Sequence, residues 1–496
     1  MYVYKRQIAS FNKIVFVSAF FLASLIFACH NSYSQSDKPN IIIFIADDVS
    51  WNDLGCYGNK DVKTPHIDAL ADHGIKFTNT YLTASSCSPS RNSIFTGRYP
   101  HNTGAAELHT QPPDWMVSFP EILHENGYYT AFSGKFHSHD FIRPAFDFLS
   151  ITQEKIGNSG SDDWVNVLQN RPKGQPFFMW FASLDAHRAW GPNQFSGTHH
   201  PDSITPPYYL AQGTKTRIDL AQYYDEVYRF DYRIGEVIEV LKSQEALENT
   251  IIIVMSDNGR PFPHSKTRVN DRGMKTPFIF NWPEKLQKKG LTCSGLVSVI
   301  DIAPTLLSIA GCEIPPSFQG YSFEHLIENP DKTFRNYVFA EHNWHDFEAH
   351  ERMVRTGDYM YILNSRPNLP NLGPADAIES PAFHELDSLR NAGMLSAIQS
   401  DIFIIPRPVE ELYHYPDDSL QVVNIASHLD HQQELIKLRA ILKQWMLDTG
   451  DDIPDDLTKS WFYYEPGYQK TKDFEIRGTM PGNSHDATKI NNKSYF

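Results

Sequence analysis

The sequence predicts an α/β fold in which a large sheet, buried on both faces, is flanked by helices and followed by a smaller C-terminal α+β subdomain. Three observations carry this. First, "NIIIFIADD" (Asn40 to Asp48), "PFFMWFASLDAH" (Pro176 to His187) and "TIIIVMSDNG" (Thr250 to Gly259) are unbroken apolar runs that end in polar residues. That is the grammar of strands covered on both sides whose carboxyl ends open into a site. Second, helical stretches such as "TPHIDALADHG" and "YRFDYRIGEVIEVLKSQ" stand between or beside them, which indicates an open α/β sheet with ligands bound beyond the strand ends. Third, 496 residues, 41% hydrophobic and 13% aromatic, are enough to bury a large core.

Taken in order, the chain begins with Lys5, Arg6 and Lys13 around the start of an apolar run, Ile14 to Ala28, that is short for a membrane span. This reads as an export signal. Processing at Cys29, within "LIFAC", would remove residues 1–28 and leave a lipid anchor, whereas processing after Ser32-Tyr33-Ser34 would remove residues 1–34 and leave a soluble protein. Either way the expectation is an exported chain, periplasmic or secreted. In "TPHIDALADHG", Thr64 is expected to cap a helix, Pro65 to open it and Gly74 to stop it. "SVIDIAPTLLSIAG" ends on Gly311 in the same manner. From about Arg335 the pattern changes to short strand-like pieces, "NYVFAEH" and "DYMYILN", then a Pro-rich loop region. An amphipathic helix from about Gln432 to Leu447 then places Leu435, Leu438, Leu442 and Trp445 on one face. The expected division is a catalytic domain over 38–335 and a C-terminal subdomain over 336–496, with a small antiparallel sheet and a helix.

The net charge of −15 argues against a nucleic-acid binder, which needs a basic footprint. An anionic ligand would require cations gathered locally. Beyond Cys29 the cysteines are Cys56, Cys87, Cys293 and Cys312, too few for a disulfide scaffold and without zinc spacing. For Cys293 and Cys312 a bridge and two buried thiols are both open. The metal chemistry falls to carboxylates: Asp47 and Asp48 at one strand end, Asp257 and Asn258 at another, an oxygen set suited to a hard cation such as Ca²⁺.

"CSPSR" (Cys87 to Arg91) followed by "NSIFTGRYP" resembles the signature of the formylglycine-dependent sulfatases, in which the cysteine of C-x-P-x-R is oxidised after translation. The likeness continues in order through "IFIADD", "TPHIDALADHGIKFTNTY", "GKFH", "LDAH", "SDNG", "VSVIDIAPTLL" and "ELYHYPDDSLQVVNIASH", so it spans roughly residues 38 to 450. It implies an alkaline-phosphatase-like fold with a large mixed sheet. It further implies that Cys87 is the precursor of formylglycine (3-oxoalanine) made by a maturation enzyme. The hydrated aldehyde offers two hydroxyls, one to attack sulfur and one whose deprotonation expels sulfate. By the same resemblance Asp47, Asp48, Asp257 and Asn258, with the modified Cys87, would hold one Ca²⁺. Arg91 and Lys135 would stabilise the nucleophile, His137 would assist its deprotonation, and His187 would protonate the leaving atom. Lys266, eleven residues before Pro277, matches the family's second lysine, and with Lys135 would neutralise the sulfate.

One segment departs from the pattern. Where many sulfatases carry a Glu-Gly-Gly turn, this chain reads "KTRVNDRGMKTP" with Asp271, Arg272 and Gly273, and "SDNGRPFPHSKTR" resembles the sulfamidase-like branch instead. Arg188, Arg260, Arg268, Arg272 and Lys275 lie close in sequence to the site strands, and arginine suits carboxylates and sulfates. They are expected to bind a sulfated polysaccharide or its oligosaccharides, with His109, His342 and His345 as further contacts. Trp190 and Trp344 could stack on sugars or fill the core. Two substrates fit the branch, N-sulfoglucosamine of a heparan-type chain and O-sulfate of an algal polysaccharide such as ulvan, with a lean toward the second. The rivals are a formylglycine-dependent phosphonate or phosphate ester hydrolase of the same superfamily and a non-enzymatic relative, the latter disfavoured by the presence of Cys87 and His187.

Overall fold

The structure is a computed structural model that describes residues 38–496, except 139, 156, 191–197, 287, 465, 466 and 468. The export signal and Cys29 lie outside the described residues. The strands in chain order are β1 (Asn40–Ala46), β2 (Ile75–Phe77), β3 (Thr80–Tyr81), β4 (Tyr129–Lys135), β5 (Phe148–Thr152), β6 (Phe177–Ala182) and β7 (Thr250–Ser256). They continue with β8 (Phe278–Asn281), β9 (Leu291–Cys293), β10 (Val297–Ser298), β11 (Val338–His342), β12 (Glu351–Arg355), β13 (Tyr359–Asn364) and β14 (Glu410–His414). Eight of them form one sheet in the order β5-β4-β6-β1-β7-β8-β2-β9. It is mixed: β8 runs antiparallel to both β7 and β2, and the three apolar runs of the sequence stand side by side and parallel at the centre.

The period of two along β1 explains why this strand is apolar throughout. Ile41, Ile43 and Ile45 point into one core, with Phe95, Trp180 and Ile253. Ile42, Phe44 and Ala46 point into a second core on the other face. All six residues are at most 1% exposed, and burying each large side chain is worth ~1.5–3 kcal/mol against leaving it in water. The second core is closed by the thirty-residue helix Thr214–Ser243, which contributes Leu220, Tyr223, Val227, Phe230, Ile234, Val237 and Leu241.

The helix Pro65–Asp72 forms where the start and stop residues place it, but Thr64 does not cap it. Its hydroxyl instead donates to Asp68 at 3.0 Å and accepts from the Gly55 amide at 2.9 Å. Gly74 is required by close approach, since a Cβ there would lie 2.5 Å from the Phe280 carbonyl oxygen. Gly134, one residue before Lys135, is more constrained: φ is +114°, and a Cβ would lie 1.8 Å from the Ala182 carbonyl oxygen on the neighbouring strand β6. Gly134→Ala should therefore cost about 3 kcal/mol or more through clash and backbone strain, read as a lower urea midpoint.

The C-terminal part is the antiparallel sheet β11-β12-β13-β14. The helix Gln432–Thr449 packs Leu435, Leu438, Leu442 and Trp445 on Phe339, Val354, Tyr361 and Leu412, with Trp445 stacked on Phe339 at 5.0 Å. The expected Pro-rich loop region is corrected in part. Pro381–Asn391 is a helix started by Ser380, whose hydroxyl accepts from the Phe383 amide at 3.0 Å, and it packs on the thirty-residue helix. Cys293 and Cys312 are free buried thiols. Among the described residues, no helix is long and apolar enough to cross a membrane.

Candidate active site

Four strand ends and one helix start deliver the site. Asp47 and Asp48 follow β1, Asp257 and Asn258 follow β7, His187 lies in the turn after β6, and β4 ends on Lys135. Cys87 is the first residue of the helix Cys87–Thr96, all ten residues of which are buried. Its Sγ lies 3.5 Å from Asp47 Oδ1 and 3.9 Å from Asp48 Oδ1.

Three cations interleave with three carboxylates. Arg91 donates from Nε to Asp257 Oδ2 at 2.9 Å, with Nη2 at the same distance, and lies 3.8 Å from Asp47. Lys135 Nζ sits 2.5 Å from Asp47 Oδ2, and Lys266 Nζ sits 2.8 Å from Asp48 Oδ2. None of the six side chains is more than 1% exposed. Buried charges persist only when paired, so these pairings hold each other in place. Burial opposes the charge on Lys135 and Lys266, but Asp47 and Asp48 respectively outweigh it and hold both ammonium groups above their usual range. Burial also pushes the Cys87 thiol well up, more than Lys266 and Lys135 pull it down. An unmodified Cys87 is therefore a protonated thiol, unlike the thiolate of a cysteine nucleophile.

The donor set fits a hard cation. Oxygens of Asp47, Asp48 and Asp257 and the Cys87 Sγ lie within 4.8 Å of one another. The Asn258 amide donates to Asp48 Oδ1, while its own Oδ1 is buried and accepts no hydrogen bond. Orphaned oxygen beside three carboxylates is the chemistry Ca²⁺ satisfies.

His187 is fixed by its own chain. Nδ1 pairs with the Arg188 carbonyl, which leaves Nε2 facing the site, 4.0 Å from Asp48 Oδ2 and 3.9 Å from Asp376 Oδ2. A cavity of about 180 Å³ lined by Glu154, Leu184, His187, Arg188 and Glu226 opens beside it. His137 Nε2 pairs with His109 Nδ1 at 2.9 Å, and the His109 amide donates to Ser88 Oγ on the nucleophile helix. His345 Nδ1 pairs with Ser86 Oγ at 2.7 Å, immediately before Cys87.

The cationic residues expected to meet substrate are each engaged within the protein. Arg188 is held by both oxygens of Asp219 at 2.8 Å and lies over the Trp190 and Phe262 rings. Arg260 pairs with Asp53 at 2.8 Å. Arg268 and Arg272 converge on Asp401, and Lys275 lies 4.3 Å over the Trp51 ring. The reason is the cost of an unpaired buried guanidinium in a chain rich in acids. His342 binds Glu351 at 3.0 Å, and Trp344 donates to the Lys459 carbonyl and packs on Trp461. The residue that sequence reasoning missed is Asp376, in the four-residue helix Ala375–Ile378, which no local pattern marks.

A family model described as Sulfatase matches residues 39–312, and one described as N-sulphoglucosamine sulphohydrolase, C-terminal, matches residues 264–365. An ulvan-active sulfatase of Formosa agariphila is 30% identical over 482 residues, covering 86% of this chain and 78% of that protein. Human N-sulphoglucosamine sulphohydrolase is 27% identical over 455 residues, covering 83% and 90%. A solved structure in complex with its substrate D-glucosamine-2-N,6-O-disulfate aligns with a TM-score of 0.65 at 21% identity, over 83% of this chain and 98% of that one. The phosphonate monoester hydrolase of Agrobacterium radiobacter aligns at 0.64 with 16% identity, over 84% and 98%. These two structural likenesses speak for the fold alone.

Proposed function

The chain belongs to the sulfatase family, and from that membership we propose that it removes sulfate from a sulfated polysaccharide or its oligosaccharides, using Cys87 matured to formylglycine and one Ca²⁺. The observation that carries this reading is the single buried cluster in which Cys87 meets Asp47, Asp48 and Asp257, with Arg91, Lys135 and Lys266 between them. Asp47, Asp48, Asp257 and Asn258 would hold Ca²⁺, which when bound supplies Lewis-acid stabilisation of a sulfate oxygen. Formylglycine would supply a pair of hydroxyls where the chain has a thiol, one as nucleophile and one to release sulfate.

The residues of the chain do the rest. Arg91 is held against Asp257 and orients the side chain at 87 one helical turn before it. Lys135 and Lys266 present two fixed ammonium groups to an incoming sulfate, already desolvated and so strong in their field. The Arg188 carbonyl can only accept, so His187 Nδ1 carries a proton and Nε2 is left to face the leaving atom; acid catalysis there uses the imidazolium, which holds a second proton on Nε2. His187→Ala is expected to slow sulfate release from a sugar ester by ~10²–10⁴-fold. A 4-nitrophenyl ester, whose leaving group needs no proton, should lose much less; equal losses would remove the acid role.

An O-sulfate of an ulvan-type chain is the substrate favoured by the ulvan-active relative. N-sulfoglucosamine is the second reading, favoured by the C-terminal family match. Export, directed by Lys5, Arg6 and the apolar run after Lys13, suits such polymers, with a maturation enzyme as partner and either a lipid anchor at Cys29 or a free chain as the product. The test is the mass of the Cys87 peptide together with sulfate release, with Ca²⁺ present, from ulvan oligosaccharides and from N-sulfoglucosamine. Formylglycine with release from one of them supports the reading and chooses the substrate. Formylglycine with no release, while an aryl phosphonate is cleaved, overturns it.

A further inference from the structure

Asp376 has no role in the scheme above, yet its carboxylate stands beside the two side chains that would meet the sulfate and the leaving atom. Its Oδ2 lies 3.8 Å from Lys266 Nζ and 3.9 Å from His187 Nε2. Both separations exceed hydrogen-bond length, and neither carboxylate oxygen, each shielded from water, accepts a hydrogen bond. Burial opposes the charge, but Lys266 first, then His187, Arg188 and the Ala377 amide, outweigh it and hold the carboxyl below its usual range. Held between two cations yet hydrogen-bonded to neither, the carboxylate keeps acceptor capacity that a substrate donor can fill.

The position of Asp376 is built. The Ala375 amide donates to Asp346 at 3.0 Å, which fixes the turn carrying it. The Ala382 amide donates to Asp219, the same carboxylate that grips Arg188 beside His187. Although Asp48, His187 and Asp376 together present three possible metal-binding atoms, the Lys266 ammonium is within 2.8 Å of Asp48 and 3.8 Å of Asp376. A fixed cation already serves those two carboxylates, so a second metal ion is disfavoured there.

We propose that Asp376 is a specificity-determining residue that accepts a hydrogen bond from a hydroxyl or N–H on the substrate atom next to the one bearing sulfate. The geometry that points to this is the shared neighbour: His187 Nε2 faces the leaving atom and lies 3.9 Å from Asp376 Oδ2. On a ring, a vicinal donor sits about one hydrogen-bond length from the leaving atom, and so reaches Asp376 when the leaving atom reaches His187. A site with such an acceptor rejects analogues that lack the donor, because its own carboxylate is then left unpaired. This rests on the sulfatase reading, since it takes the place of the leaving atom from His187.

The test measures binding as well as turnover, so that failure of the catalytic reading is told apart from failure of this one. Two aryl sulfates serve as probes: 4-nitrocatechol sulfate, with a hydroxyl vicinal to the ester, and 4-nitrophenyl sulfate, without it. In full-length Cys87→Ser protein with Ca²⁺, calorimetry should show the catechol ester binding ~10–100-fold more tightly, the range of a hydrogen bond to a charged group. Adding Asp376→Ala should bring the ratio to about 1, and Asp376→Asn, a neutral acceptor of the same shape, should leave it between. In matured enzyme, Asp376→Ala should lower kcat/KM for the catechol ester by a similar factor and leave the nitrophenyl ester within about threefold. A ratio near 1 with Asp376 present, or one unchanged by either substitution, overturns the proposal. Equal losses on both esters would instead assign Asp376 to orienting His187. Absence of turnover in matured enzyme, with the binding ratio intact, would count against the sulfatase reading alone.

Discussion

Cys87→Ala is expected to abolish sulfate release, by ~10⁴-fold or more, while leaving the fold intact. On the proposed scheme the substitution removes the group that would form the covalent bond, and nucleophile deletions in enzymes with covalent intermediates lose nearly all of kcat. The fold should survive because Cys87 contributes one small buried side chain to a minor cluster with Leu108 and Trp344, a change of about 1 kcal/mol or less at the cost of removing one polarisable atom. The measurement pairs sulfate release with a urea melt. A variant that folds yet retains one-tenth of the activity would show that the side chain at 87 is not the nucleophile.

Asp257→Ala is the second large effect, and it acts on stability and on metal together. Asp257 Oδ2 accepts from Arg91 Nε at 2.9 Å and lies the same distance from Nη2 as an ion pair, and its Oδ1 accepts from the Asp48 amide at 3.2 Å. Without it, the guanidinium keeps only Asp47 at 3.8 Å and stays 1% exposed. Breaking one side of a buried pair costs ~3–5 kcal/mol, which should appear as a lower urea midpoint at unchanged slope. Calcium should raise the melting temperature of the wild-type protein, because a ligand of the native state alone stabilises it by mass action. In Asp257→Ala that rise should vanish. A variant that melts as the wild type does, and still responds to Ca²⁺, would remove Asp257 from the ligand set.

Much of this was legible in the chain itself. The central strands announce themselves because a strand covered on both faces must be apolar at every position, and the acids after them stand out against that run. The C-x-P-x-R motif is local, since Arg91 reaches the neighbourhood of Cys87 within one helical turn. What stayed hidden depends on contacts distant in sequence. Arg188 reads as a free cation until the fold brings Asp219 to it, and Arg260 until it brings Asp53. Asp376 is 110 residues beyond Lys266 in a bland four-residue turn, and only tertiary packing places it at the site. Surrounding prolines hide the helix Pro381–Asn391 in the sequence, although Ser380 and Pro381 carry the same start chemistry as Thr64 and Pro65, and here the serine hydroxyl does cap.

The burial of the helix Cys87–Thr96 has one more consequence. Cys87 is 1% exposed, and its neighbours Ser88, Pro89, Ser90 and Arg91 are sealed with it. Another protein cannot grip that peptide once the sheet has closed around it. Any oxidation of Cys87 by a second enzyme must then happen on a chain still being made or still threading through export, which turns biogenesis into a race. The matured share would then be set by which comes first, the catalyst or the fold.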